Sequence, residues 1–210
     1  MAKSKSSKQW LKEHFKDEFV QKARQDGYRS RATYKLIEIQ GRNQLIKPGQ
    51  VVVDLGAAPG GWSQYAVELV GKQGAVVGLD ILPMAPLEDV AFIEGDFREA
   101  ATLEKLMQTI APYHGIDWVL SDIAPNMSGI KAVDQPKSMY LVELAYDFAI
   151  NYLKPNGGFL CKVFQGTGFD ELLRQARQDF DNVAIRKPKA SRTRSIETYL
   201  LARGFRANNR

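Results

Sequence analysis

Four charged residues stand where an apolar run stops or is interrupted. Asp54 follows Val51, Val52 and Val53; Asp80 follows Ala75 to Leu79; Asp122 follows Trp118 to Ser121; Lys162 lies between Cys161 and Val163. A lysine inside an apolar strand is costly unless it is paired or reaches the rim of the sheet. Asp122, ending the adjacent strand, supplies the partner, and the two would meet above the sheet. Such a pair can orient a weak nucleophile and take its proton, although an ion pair serving only structure leaves the same signature. Asp80 stands 20 residues after Gly60 at a strand end, where a carboxylate accepts hydrogen bonds from both hydroxyls of a ribose. Asp96, after Gly95, is placed either to accept from an adenine amino group or to close an Asx turn.

These residues need a frame that gathers strand ends. Val51 to Asp54 reads as a buried strand, and Gly56-Ala57-Ala58-Pro59-Gly60-Gly61 as a turn into a helix over about 62–70. Glycine lets backbone N–H groups and the positive helix end approach a polar ligand closely. The glycines do not fall as G-x-G-x-x-G, so this is not the dinucleotide fingerprint. Further strands are predicted at 75–80, 91–94, 116–121, 159–164, 182–187 and 196–203, and helices near 9–25, 30–41, 99–110, 135–153 and 169–179. Leu11, Phe15 and Phe19 stripe the first helix. Asp134 is the expected N-cap of the helix from 135, with Leu141, Leu144, Ala145, Phe148 and Tyr152 on its apolar face. The alternation implies a single-domain α/β fold: a doubly wound, mostly parallel seven-stranded sheet with helices on both faces. Ligands of such sheets bind outside the carboxyl ends of the strands.

With 210 residues, 44% of them hydrophobic, the chain can bury one substantial core. No apolar run approaches the roughly 18–20 residues of a membrane span, and the basic, serine-rich N-terminus lacks the apolar stretch of a secretory signal. Cys161 is the single cysteine and His14 and His114 the only histidines, which excludes a disulfide framework and a thiolate metal cluster. The expectation is a metal-free, cytoplasmic protein. Charge is segregated: residues 1–35 hold ten Lys/Arg against four Asp/Glu, residues 36–185 eleven against nineteen, and residues 186–210 eight against one. Cationic flanks around an acidic centre point to a polyanion held by the flanks, and Arg29, Arg31, Arg192 and Arg194 are the expected contacts. Flexible basic ends are expected at 1–9 and 204–210, bounding a domain at 10–203.

The turn D-x-G-x-x-P-G-G resembles the one that class I S-adenosylmethionine (AdoMet) methyltransferases carry after their first strand. Five motifs in order extend the likeness: Asp54–Trp62 (DLGAAPGGW), Asp80–Met84 (DILPM), Gly95–Arg98 (GDFR), Ser121–Gly129 (SDIAPNMSG) and Val163–Gly166 (VFQG). Together they resemble the FtsJ (RrmJ, RlmE) family of large-subunit ribosomal RNA uridine 2′-O-methyltransferases, over about Trp10 to Arg203. The resemblance implies a Rossmann-like class I fold and AdoMet as methyl donor, contacted by Gly60, Trp62, Asp80, Asp96 and Asp122. It implies methylation of a uridine ribose in the A loop of 23S rRNA, with the assembled large subunit as the better substrate, by a monomer. The family's Lys-Asp-Lys-Glu pattern falls on Lys35, Asp122, Lys162 and Glu197. Read without the family, Lys35 is a residue of a solvated helix face and Glu197 an acid set among cations.

Competing chemistries fail on particular residues. A nicotinamide enzyme wants G-x-G-x-x-G. A cytosine-C5 RNA methyltransferase needs a cysteine, often just after strand four, where Ile123-Ala124-Pro125-Asn126 stands. Amino-directed base methyltransferases usually place an aromatic after a proline pair, and Pro125 is followed by Asn126.

Overall fold

Strands covered on both faces read as continuous apolar runs, and here they form the centre of the molecule. The computed structural model describes residues 17–113, 115–125, 127–191 and 195–207. Two helices lead in, α1 (Glu18–Gln25) and α2 (Thr33–Asn43). There follow β1 (Val51–Leu55), α3 (Gly61–Val70), β2 (Ala75–Asp80), β3 (Val90–Glu94), α4 (Ala100–Ile110) and β4 (Ile116–Ser121). Then come α5 (Lys131–Tyr152), β5 (Leu153–Phe164), α6 (Phe169–Asp179), β6 (Phe180–Arg186) and β7 (Glu197–Phe205). The seven strands lie in the order β3-β2-β1-β4-β5-β7-β6. Only β7 runs against its neighbours, β5 and β6, so the sheet is mostly parallel, as the alternation of elements implies.

Side-chain alternation sorts the strands into two cores. Val53, Leu55, Val77, Leu79, Phe159, Cys161 and Val163 pack under α4, α5 and α6. Val52, Val76, Leu120, Leu160, Tyr199 and Leu201 pack under α2 and α3 with Leu36, Ile39 and Trp62. The second face matters for function, because Asp54, Asp80, Asp122, Lys162 and Glu197 all share its parity.

Several boundaries differ from the sequence reading. The stripe residues Leu11 and Phe15 lie outside the described residues, and Asp17 caps α1 by accepting the Phe19 N–H at 3.0 Å. Helix α5 begins at Lys131, not 135, so Asp134 sits in its first turn. Its carboxylate turns back to accept the Ser128 N–H and hydroxyl and the Gly129 N–H, bonds that a cap of a later helix would not make. The buried face of α5 is also rotated: Val142, Ala145, Tyr146, Phe148 and Ala149 enter the core, while Leu141 turns to the cleft described below. Strand β5 starts at Leu153 and absorbs the Lys154–Gly158 turn, with an irregular pairing between Ile116 and Trp118 of β4. At the other end, β7 continues to Phe205, and Arg206 pairs with Asp181 at 2.6 Å.

Candidate active site

The carboxyl ends of β1, β2, β3 and β4 open on a cleft of about 330 Å³. Gly56, Ala58, Asp80, Asp96 and Asp122 line it, together with Ile81, Leu82, Phe97, Arg98, Ile123 and Leu141. Asp80 spans the turn, its Oδ2 accepting the Ala58 N–H at 2.9 Å and its Oδ1 the Leu82 N–H at 2.8 Å. Each oxygen keeps acceptor capacity for a ligand hydroxyl. Gly56 is essential to the cradle: with φ at +77°, an added Cβ would lie 2.4 Å from Ile123 Cγ1. Asp96 lines the cleft and closes a turn through the Arg98 N–H at 3.0 Å. The Arg98 side chain hydrogen-bonds to it, Nε at 2.9 Å, and holds its carboxyl below the usual carboxylate range. The cleft thus offers carboxylate acceptors to ligand hydroxyl or amino groups, with Leu82 and Phe97 as apolar lining.

Two expected cofactor contacts stand elsewhere. Gly60 is the left-handed N-cap of α3, and a Cβ there would meet Leu87 and Met84, each at 2.8 Å, rather than the cleft. Trp62 is buried on the α2 side, donating its indole N–H to the Ala32 carbonyl at 2.8 Å with its ring 5.8 Å from that of Tyr199.

Beside the cleft, four charges meet. Lys162 Nζ donates to Asp122 twice, to the backbone carbonyl at 2.6 Å and to Oδ1 at 3.1 Å. Lys35 Nζ lies 2.9 Å from Glu197 Oε1 and 3.8 Å from Asp122 Oδ2. Strand parity explains the gathering: Lys162 pairs with Tyr199 across β5–β7, and Glu197 projects two residues before it on the same face. Lys35 is therefore not on a solvated face; it is buried in the first turns of α2.

Two further residues complete the network. The Tyr199 hydroxyl donates to Asp122 Oδ1 at 2.7 Å, and Ser191 Oγ donates to Glu197 Oε1 at 2.8 Å. Neither carries a local sequence signal of this role. A tyrosine in a strand reads as core, and only its register against Lys162 marks it as polar machinery. Burial works to raise the Asp122 carboxyl, but Lys162, Lys35 and the Tyr199 hydroxyl outweigh it and hold it below its ordinary range. Burial and the two carboxylates push the Tyr199 hydroxyl well up, so it stays a donor. Cys161 faces the opposite core, and burial pushes its thiol up, which leaves no thiolate nucleophile there. Asp54 lies behind the site, accepting from Ser63 Oγ at 2.7 Å; burial raises it to about 7.

The expected polyanion contacts divide. Arg29 spends its guanidinium on the carbonyls of Pro59, Ala85 and Pro86. Arg31 pairs with Asp17 and donates to the Ala190 carbonyl. Arg192 and Arg194 lie outside the described residues. Among the described residues no group of three or more His, Cys, Asp or Glu is placed to hold a metal ion, and no helix is long and apolar enough to cross a membrane.

A family model described as FtsJ-like methyltransferase matches residues 28–205. The chain belongs to that family. A protein named ribosomal RNA large subunit methyltransferase E, from Legionella pneumophila (strain Corby), is 60% identical over 205 residues, covering 98% of this chain and 99% of that protein. A protein of the same name from Pseudomonas paraeruginosa (strain DSM 24068 / PA7) is 56% identical over 206 residues, covering 98% and 99%. Among solved structures, one described as a ribosomal RNA methyltransferase of Plasmodium falciparum aligns with a TM-score of 0.76 at 30% identity, over 85% of this chain and 98% of that one. Fibrillarin in complex with Nop5p aligns at 0.54 and 15% identity, over 82% and 83%, a likeness of fold alone.

Proposed function

We propose that this FtsJ-like methyltransferase transfers the methyl group of AdoMet to the ribose 2′-hydroxyl of a uridine in the A loop of 23S rRNA, acting as a cytoplasmic monomer on the assembled large subunit. One observation carries the reading: Lys162, Asp122, Lys35 and Glu197 join in a single contact network beside a cleft whose Asp80 can accept ribose hydroxyls. The names of relatives at 56–60% identity support the ribosomal substrate. The uridine, the ribose oxygen and the A loop rest on the motif resemblance.

Bound AdoMet supplies a sulfonium methyl that needs no further activation. Asp80, Asp96, Gly56 and Leu82 would hold the nucleoside. The remaining task is to position a weak nucleophile and manage its proton. Lys162 carries three donor positions as an ammonium, and Asp122 occupies two of them. Among the described residues no other acceptor takes the third, which would receive an incoming hydroxyl oxygen, and as a free amine the same nitrogen can take the proton. Asp122, kept ionised, fixes the direction of Lys162. Lys35, held by Glu197, adds a second cation next to that carboxylate and offsets negative charge as the hydroxyl loses its proton.

Mass mapping tests the assignment. Large-subunit rRNA from cells lacking this protein, incubated with enzyme and AdoMet, should gain one methyl on a uridine ribose 2′-oxygen of the A loop. A methyl on a base or on a protein rejects the reading.

A further inference from the structure

The two segments that deliver catalytic groups also carry large apolar side chains into solvent. After Asp122 the chain passes Met127, 57% exposed, and Ile130, 60% exposed, before entering α5. Before Glu197 it passes Ile196, 48% exposed. Single exposed hydrophobic residues are ordinary. These three differ because polar bonds hold their backbone in place.

Buried Asp134 accepts the Ser128 N–H and hydroxyl, both at 2.8 Å, and the Gly129 N–H at 2.9 Å. The Ile130 carbonyl accepts the N–H groups of Val133 and Asp134, each at 2.9 Å. On the other side, Lys187 Nζ donates to the carbonyls of Ser195 and Glu197, one on each side of Ile196. The residues between Met127 and Ile130 and those flanking Ile196 are thus fixed, while the side chains themselves remain outside.

We propose that Met127, Ile130 and Ile196 form an apolar rim on which the unstacked nucleobases flanking the methyl-accepting ribose rest. The inference builds on the RNA 2′-O-methyl transfer proposed above. A ribose hydroxyl brought to Lys162 carries its own base and its neighbours' bases with it, and the segments after Asp122 and before Glu197 are the ones that lead away from the charge cluster. Nucleobases present flat, weakly polar faces whose burial against apolar surface is favourable, and proteins read RNA loops by splaying such bases apart. Within the cluster Lys35 and Lys162 are paired to carboxylates, so the rim rather than the cluster offers surface to the bases. The site would therefore prefer loops to duplexes without reading base identity at the rim.

The test compares wild type with a triple variant, Met127→Ser, Ile130→Ser, Ile196→Ser, and with a conservative one, Met127→Leu, Ile130→Leu, Ile196→Val. Substrates are unmethylated large subunits and protein-free 23S rRNA fragments containing the A loop. The serine variant should bind AdoMet like wild type by calorimetry and keep its melting temperature, yet lose at least tenfold in kcat/KM on both substrates through a raised KM. The conservative variant should retain most activity. Serine-variant kcat/KM within twofold of wild type on both substrates overturns the rim. A loss confined to intact subunits also overturns it, since a ribosomal protein would then be the occupant. If wild type itself places no methyl on a ribose oxygen, the underlying function fails instead, so the two failures are distinguishable.

Discussion

Tyr199 donates its hydroxyl proton to the carboxylate of Asp122 at 2.7 Å, from a position directly opposite Lys162 in the β5–β7 ladder. One carboxylate oxygen, Asp122 Oδ1, therefore accepts from both Tyr199 and Lys162. Removing the hydroxyl should leave that oxygen held by Lys162 alone and should raise the Asp122 carboxyl, which the hydroxyl helps hold low. Because the ionised form is the one that orients Lys162, activity is present above the folded-state pKa and lost as pH falls through it. Tyr199→Phe should shift this acidic limb upward and lower kcat by roughly tenfold, about 1.4 kcal/mol, with AdoMet affinity unchanged. An unmoved limb in the pH–rate profile would assign Tyr199 to packing alone.

Lys162→Ala should abolish methyl transfer while AdoMet and RNA still bind, because the loss falls on positioning the nucleophile rather than on ground-state contacts. Lys162→Arg should fail nearly as badly, since a guanidinium cannot accept a proton. Single-turnover assays decide it. Retention of more than about a tenth of the rate, a loss below ~1.4 kcal/mol, would transfer the leading role to Asp122.

Asp80→Ala should weaken AdoMet binding at least tenfold by calorimetry without lowering the melting temperature much. Gly60→Val should weaken it by another route: the side chain would displace Met84 and Leu87 from the turn, and the +106° φ would be strained. This variant should therefore also melt earlier. Full-strength binding by both would remove the cleft as the AdoMet site.

Asp54 gives stability a pH dependence of defined sign. Its folded-state value of about 7 lies above the 3.8 of a free aspartate, burial being the main cause and Asp122 and Asp80 adding to it. The stability it contributes is complete below pH 3.8 and is lost as pH rises through about 7. Asp54→Asn should flatten that decline, with an effect of at most roughly 4 kcal/mol above neutrality. Melting curves of both proteins from pH 5 to 9 would show parallel traces if Asp54 did not carry the effect.

Arg192 and Arg194 should separate from Arg31 by salt dependence. Reversing charge at Arg192 and Arg194 should reduce the slope of log affinity against log salt by roughly 0.7 per lost phosphate contact on single strands. Arg31→Ala should leave the slope nearly unchanged and lower kcat, because Arg31, with an 18% exposed side chain, ties Asp17 to the Ala190 carbonyl next to Ser191 and Glu197. Equal slope changes for both sets would make Arg31 a phosphate contact.

The fold was legible because the runs Val51–Val53 and Ala75–Leu79 carry no polar side chain and are each followed by an acid, a pattern a covered sheet explains. Asp80, Asp96 and Asp122 could be placed at the cleft for the same reason. Lys35 and Glu197 could not be derived locally, since they meet only after α2 and β7 pack on the sheet from opposite ends of the chain. Tyr199 and Ser191 were hidden because nothing in the sequence sets the β5–β7 register. Arg29 and Arg31 look like free cations until the backbone carbonyls they bind come into view. The start of α5 was missed because an acid before a helical pattern resembles a cap, whereas Asp134 binds the preceding loop instead.

The antiparallel pairing of β7 against β5 has a consequence for how this enzyme can fail. Side chains alternate along a strand, so a slip of β7 by one residue would turn Glu197 and Tyr199 to the far side of the sheet and deprive Lys35 of its nearer counter-ion. Alignment of the last strand and assembly of the catalytic group are thus a single event. Regained activity on refolding would count correctly threaded molecules one by one, with no half-active population between them.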